Sequence, residues 1–162
     1  MKTIAITGTT GDLGRVVLPR LSRDYKCIAL SRALDNVPDE PLFALVSLAG
    51  GFGSGQSADD FTKMLEMNLF SFVRAYQAVQ PRLESDARII AISSAASLTR
   101  PKGIAAYSAS KSALNTFVQT LGGNALLPDT IDTEERRGVV AEWIVWLLQA
   151  EAVRGQLITL KL

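Results

Sequence analysis

Two side chains in this sequence have types and spacing suited to moving a proton: Tyr107 and Lys111, in the run Tyr107-Ser108-Ala109-Ser110-Lys111, with Ser94 thirteen residues upstream of the tyrosine. Residues four apart on a helix share a face, one turn from each other. An ammonium held near a phenol favours the phenolate, so Lys111 is expected to lower the Tyr107 pKa toward working pH. That suits a tyrosine that hands over or accepts a proton during catalysis. A surface tyrosine beside a solvated lysine has the same spelling, so the pair gains meaning only from the elements around it. Histidine is absent, which removes Ser-His-Asp and Cys-His mechanisms and every His-based metal site. No metal site is expected, and acid/base chemistry falls to Tyr, Lys, Asp or Glu.

The elements that must position this pair belong to one domain, residues 1–162, long enough for a single well-buried core. With 48% hydrophobic and 20% charged residues the chain reads as soluble and globular, and a net charge of +1 gives no case for a nucleic-acid or membrane surface made by bulk charge. The single cysteine, Cys27, excludes an internal disulfide and is expected as a buried strand thiol. Met1 runs straight into a strand pattern, and no apolar run approaches a membrane span, so a cytoplasmic protein is expected.

Strand and helix patterns alternate along the chain. Ile4-Ala5-Ile6 is a short strand ending in Thr7-Gly8-Thr9-Thr10-Gly11-Asp12-Leu13-Gly14, and Arg15 to Leu21 reads as helix. Strand, glycine-rich turn and helix form the context in which such glycines cradle a pyrophosphate against free helix N–H groups. The lysine and Ser/Thr of a triphosphate-binding loop are missing after Gly14. Tyr25 to Leu30 is a second strand, followed by Ser31-Arg32. In a dinucleotide fold this strand end meets the adenosine ribose, where an acid would bind a 2′-hydroxyl and an arginine a 2′-phosphate. No acid stands at this spot, Asp35 coming three residues after Arg32. NADP(H) is therefore favoured over NAD(H), the alternative being a solvated loop arginine.

Ala33 to Pro41 reads as a connection, and Leu42 to Leu48 as a strand buried on both faces, leading into a second glycine loop, Ala49-Gly50-Gly51-Phe52-Gly53-Ser54-Gly55. A helix is expected from Ser57 or Ala58 to Gln80, with Asn68 in its middle. A strand should cover Arg88 to Ser93, with Ser94 at its end. A long helix should run from Ala105 to Leu121 and stop at Gly122-Gly123. Leu126-Leu127-Pro128 reads as a short strand and turn, Glu134 to Ala150 as helix and Gly155 to Leu162 as a last strand. The fold class is α/β: a Rossmann-like, doubly wound, mainly parallel sheet with helices on both faces.

At this point the chain resembles the short-chain dehydrogenase/reductase family. The likeness rests on Thr7-Gly8-x-x-Gly11-x-x-Gly14, the Ala49-Gly50 loop, Ser94 and Tyr107-x-x-x-Lys111, in the family's order and from end to end. Asn68 falls where the family places its helix asparagine. The resemblance implies hydride transfer between a nicotinamide and a carbonyl or imine carbon. Tyr107 would supply the proton, Lys111 would hold the nicotinamide ribose, Ser94 would hydrogen-bond the substrate oxygen and Asn68 would hold a water linking Lys111 to solvent. Gly8, Thr10, Gly11, Asp12, Leu13 and Gly14 would line the pyrophosphate, with Ser31 and Arg32 at the adenosine end. Ala49 and Gly50 would pass near the ribose, with Pro128, Ile131 and Thr133 on the nicotinamide side.

Ala49-Gly50-Gly51-Phe52-Gly53 and Leu126 to Thr133 look like the dihydropteridine reductases within that family, so a quinonoid dihydropteridine is an expected substrate beside a small ketone or quinone. Those enzymes usually do without the serine and prefer NADH, whereas Ser94 and Arg32 are present here. The chain is also shorter than the family norm. The third β-unit is absent between Arg32 and Leu42, which would leave the second strand exposed or paired with a partner. A homodimer or homotetramer is expected, docking through the helix around Leu65 to Val79, the helix after Tyr107 and the last strand. Two other readings stand beside the reductase. One is a non-catalytic dinucleotide-binding sensor or scaffold; the other is a methyltransferase-like fold, which leaves Tyr107 and Lys111 unexplained.

Overall fold

Alternation along each strand decides which side of the sheet a residue serves. In the computed structural model, which describes residues 1–162, Ile4, Ile6, Ala44, Val46, Ile90, Ile92 and Leu126 point into one apolar core. Their sequence neighbours Ala5, Leu45, Ile89, Ala91, Ala125 and Leu127 point into another. The sheet is therefore covered on both faces, and its central strands can be apolar at every position.

The six strands are β1 (Thr3–Thr7), β2 (Lys26–Ala29), β3 (Leu42–Ser47), β4 (Leu83–Ile92), β5 (Asn124–Pro128) and β6 (Leu157–Leu160). They lie in the order β2-β1-β3-β4-β5-β6, and every pairing is parallel. Helices α1 (Asp12–Leu21) and α6 (Glu134–Gln149) supply Val17, Leu21, Val140 and Ile144 to the first core. Helices α3 (Ser71–Val79) and α5 (Ala105–Thr120) supply Phe72, Val79, Leu114 and Val118 to the second. The chain leaves β1 for β2 on one side and returns to β3 on the other. That reversal opens a crevice at the carboxyl ends of β1 and β3, where open α/β sheets receive ligands.

Several expected boundaries move. Helix α1 begins at Asp12 rather than Arg15, because Gly11, extended at φ −76°, already serves as its N-cap. The helix expected from Ser57 to Gln80 is broken in the middle. α2 (Ala58–Leu65) passes into a π-helical turn over Glu66–Phe70 before α3 resumes, and Gln80–Arg82 close with a 3₁₀ turn. A short helix, α4 (Ala96–Thr99), follows Ser94 where none was expected. Cys27 is half-buried rather than buried, because β2 is the sheet's edge strand. That edge is where the absent third β-unit was expected to leave it; residues 31–41 form only turns, with Leu34 in the left-handed region at φ 55°. No helix is long and apolar enough to cross a membrane.

Candidate active site

The loop after β1 is shaped by two glycines that tolerate no side chain. Gly8 has φ 73°, and a Cβ there would stand 2.5 Å from the Ala49 nitrogen on the neighbouring loop. A Cβ on Gly14 would stand 2.3 Å from the Gly8 carbonyl oxygen, so the helix can seat against the turn only with glycine in that place. Gly11 differs. A Cβ there would meet nothing nearer than 3.6 Å, and no side chain caps the α1 N-terminus that it begins. Beside Gly11 the helix end is open and uncapped, of the kind that accepts a phosphate oxygen, and a methyl group would stand in that open space. These residues fit a dinucleotide pyrophosphate. Thr10 and Leu13 belong to the same turn, and Asp12, exposed in the first turn of α1, faces Arg137 across 3.7 Å.

At the end of β2 the expectation that no acid stands there is corrected. The tight turn through Leu34 folds Asp35 back so that its carboxylate accepts the Ser31 hydroxyl at 2.5 Å, while the Asn36 side chain ties Ser31 N–H and the Ala29 carbonyl. Arg32 is exposed and in no ion pair. A free guanidinium and an engaged carboxylate share the strand end.

Strand β3 delivers the next group. Thr7 and Ser47 hydroxyls pair at 3.1 Å, and Ala49 N–H reaches Thr7 Oγ1 at 3.4 Å, fixing the start of the second glycine loop. Gly50 lies where two functional side chains converge: a Cβ on it would be 2.7 Å from Asn68 Oδ1 and 3.2 Å from Lys111 Nζ. Asn68 sits in the π turn, a geometry that recurs at functional sites. Its amide brackets the loop, accepting Gly51 N–H at 2.9 Å and donating to the Gly51 carbonyl and to Ser110 Oγ, each at 3.0 Å. Asn68 is therefore a backbone clamp on this loop, which carries the exposed Phe52.

Tyr107 and Lys111 lie one turn apart on α5, as the spacing requires. Lys111 is buried, and its ammonium donates to the Ile92 carbonyl at 3.0 Å. Burial lowers its pKa to about 8. Burial raises the Tyr107 phenol above its ordinary value, and the neighbouring Ser94 hydroxyl pulls it part of the way back. The expectation that Lys111 lowers the Tyr107 pKa is thus corrected. The ammonium is held by a main-chain carbonyl 5.9 Å from the tyrosine ring centroid, and desolvation governs both groups.

Ser94 is buried at the end of β4, where its Oγ also accepts Ala96 N–H at 3.2 Å. Pro128 closes β5 with its carbonyl accepting Ala95 N–H at 3.0 Å, which fixes the segment just after Ser94. Thr133 is the N-cap of α6, its hydroxyl accepting Arg136 N–H at 3.3 Å. Ile131 packs on the first core.

Two residues that sequence reasoning passed over belong to this mouth. Phe52 packs edge-on against Tyr107, with ring centroids 5.0 Å apart, although the residue is 67% exposed. Its place in a glycine-rich loop after a buried strand was the available signal. Arg137 donates to the carbonyls of Ile131 and Asp132 while facing Asp12, and so joins the Ile131–Thr133 segment to the α1 N-terminus. Nothing in its local sequence separates it from Arg136, which pairs with Asp132 on the surface.

A family model described as short chain dehydrogenase matches residues 30–132. Among solved structures, a short chain dehydrogenase family protein from Francisella tularensis superposes with a TM-score of 0.87 at 17% identity, covering 99% of this chain and 97% of that one. A short-chain dehydrogenase/reductase from Serratia marcescens gives 0.84 at 22%, covering 98% and 95%. BdcA, solved in complex with NADPH, gives 0.80 at 21%, covering 98% and 92%. At these identities the likeness is one of fold. No curated protein sequence matches the chain.

Proposed function

The chain belongs to the short-chain dehydrogenase family of NAD(P)-dependent oxidoreductases, and from that premise we propose that it reduces a carbonyl or imine carbon in a flat ring, a quinonoid dihydropteridine or a small quinone or ketone. The observation that carries this is the mouth formed by Tyr107, Ser94 and Phe52, a phenol kept protonated by burial and a second hydroxyl beside an exposed aromatic side chain. When bound, the nicotinamide supplies the hydride. The residues of this chain do the rest. Tyr107 gives its phenolic proton to the substrate heteroatom, which its raised pKa permits because the phenol arrives protonated. Ser94 donates to the same atom as negative charge grows on it. Lys111, anchored on Ile92, presents its remaining N–H groups toward the ribose side of the crevice near Gly50. Asn68 holds the Gly50–Gly51 backbone in place beneath them.

NADP(H) is the proposed cofactor in preference to NAD(H), because the Arg32 guanidinium is free for a 2′-phosphate while the Asp35 carboxylate is engaged by Ser31. A homodimer or homotetramer in the cytoplasm, acting on a small molecule, completes the proposal. The test is a titration with NADPH and NADH followed by nicotinamide fluorescence, repeated with Arg32→Ala, then turnover of quinonoid dihydropterin with Tyr107→Phe. Arg32→Ala should weaken NADPH several-fold and leave NADH unchanged. Tyr107→Phe should lower kcat by about 10²–10⁴ with cofactor affinity intact. Failure of both cofactors to bind would remove the reductase and leave the alternative, a non-catalytic sensor or scaffold.

A further inference from the structure

The two hydroxyls of the site stand on different elements, Tyr107 on α5 and Ser94 just past the end of β4. Their relative placement therefore depends on what fastens α5 to the segment around Ser94. That segment leads into α4, a helix of four residues, too short to keep its pose by its own hydrogen bonds. It is pinned to α5 through Ser97, which is buried. The Ser97 hydroxyl donates to the Ser94 carbonyl at 2.7 Å and accepts from the Asn115 side-chain amide of α5 at 2.9 Å. Ser97 N–H donates to the same Ser94 carbonyl at 3.0 Å. The Ser97 carbonyl accepts from the Ser112 hydroxyl, also of α5, at 3.0 Å.

We propose that Ser97 and Asn115 are positioning residues for Ser94, a relay from Asn115 through Ser97 to the Ser94 carbonyl that fixes the Ser94 hydroxyl relative to Tyr107. The proposal rests on the role given to Ser94 above. The direction of the relay follows from its donors. Ser97 has one hydroxyl proton, and it goes to the Ser94 carbonyl because the Asn115 amide fills the accepting side of the oxygen. An Asn115 side chain turned the other way would draw that proton off Ser94. The Ser94 Oγ accepts Ala96 N–H at 3.2 Å, which leaves its own proton to be donated into the site.

Two observations favour positioning over packing. Asn115 is buried, and its Oδ1 has no hydrogen-bond partner. The fold thus carries an unpaired acceptor that an apolar side chain would avoid, and the Nδ2 bond to Ser97 is what the asparagine provides in return. The same device also holds Tyr107. Ser110 donates to the Tyr107 carbonyl at 2.7 Å and accepts from the Asn68 amide at 3.0 Å. Each hydroxyl-bearing residue of the site has a serine three residues on that engages its carbonyl. An asparagine from a different element orients each serine, Asn68 from the π turn and Asn115 from α5.

The test is a mutant cycle on the full chain. Ser97→Ala and Asn115→Ala should each lower kcat about ten- to a hundredfold, the scale of a small misplacement at a reacting centre, with NADPH affinity unchanged. In a Ser94→Ala background the same substitutions should cost nothing further in kcat, because their effect passes through Ser94. Val118→Ala, which trims the second core from the same helix, should lower the melting temperature and leave kcat unchanged. Amide hydrogen exchange supplies a readout that needs neither cofactor nor substrate. The Ala96 and Ser97 N–H groups are bonded to Ser94, and Asn115→Ala should speed their exchange about tenfold relative to the Ile90 amide of β4; Val118→Ala should not. Unchanged kcat, losses of equal size in both Ser94 backgrounds, or unaltered exchange at Ala96 and Ser97 overturns the proposal. If no carbonyl or imine substrate is turned over at all, the reductase reading fails by itself, and the exchange result alone decides whether the relay holds Ser94.

Discussion

Replacing Lys111 with methionine should make the protein more stable near neutral pH, and that gain should disappear in alkali. In the folded state burial lowers the lysine from 10.5 to about 8. The unfolded chain keeps the ordinary value. Below pH 8 both states hold the proton, and the fold carries the full cost of a buried ammonium. As pH rises from about 8 to about 10.5 the unfolded state holds more protons than the folded one, so wild-type stability climbs. At about 1.4 kcal/mol per pH decade the fall in pKa is worth roughly 3 kcal/mol. Methionine is unbranched and fills a similar volume, but it forfeits the hydrogen bond to Ile92, worth about 1 kcal/mol. The net gain near neutrality is then about 2 kcal/mol.

Urea unfolding of both proteins at several pH values between about 7 and 10 measures it. Burial raises Tyr25, Cys27 and Tyr107, which lowers stability as pH rises through their unfolded values. These residues are common to both proteins, so the difference between wild type and Lys111→Met isolates the lysine. A difference that stays constant across this range would refute the buried-charge account of the site.

Gly8→Ala should lower the melting temperature, because it combines a strained φ with a Cβ 2.5 Å from Ala49 nitrogen, whereas Gly11→Ala should fold normally and lose dinucleotide affinity in the fluorescence titration. Asn68→Ala removes three hydrogen bonds to Gly51 and Ser110; it should cost about 2–3 kcal/mol and accelerate amide hydrogen exchange across Gly50 to Gly55. Phe52→Ala should leave stability within about 0.5 kcal/mol, since the residue is mostly exposed, and raise KM several-fold for flat substrates; an unchanged KM would separate Phe52 from substrate recognition.

The sheet was legible because its central strands are continuous apolar runs and its glycine turns stand in strand–turn–helix context. Residues 42–47 and 124–128 are buried throughout, and that continuity is the mark of a strand covered on both faces. Tyr107 and Lys111 were legible because a four-residue spacing fixes a shared helix face. What surrounds them was not. A pKa depends on burial and on which atom an ammonium finds, and the Ile92 carbonyl that holds Lys111 is nineteen residues away. Asp35 was set aside for its distance along the chain, and a turn through left-handed Leu34 brought it back to Ser31. Asn68 stood out through the family resemblance, as the holder of a water beside Lys111, and propensity gives no sign of a clamp on a loop seventeen residues earlier.

The π turn at Glu66–Phe70 makes this site sensitive to length. Such a turn carries one residue more than regular α-helical hydrogen bonding takes up. Deleting one of its residues other than Asn68 restores an uninterrupted α-helix, closes the bulge that presents Asn68, and leaves α2 and α3 close to their present phase. The asparagine would then leave the loop it brackets, although every side chain of the catalytic face stayed in the sequence. Alignments that slide a gap through this stretch, and libraries built only from substitutions, both miss the variable that sets the site: the count of residues between Leu65 and Ser71.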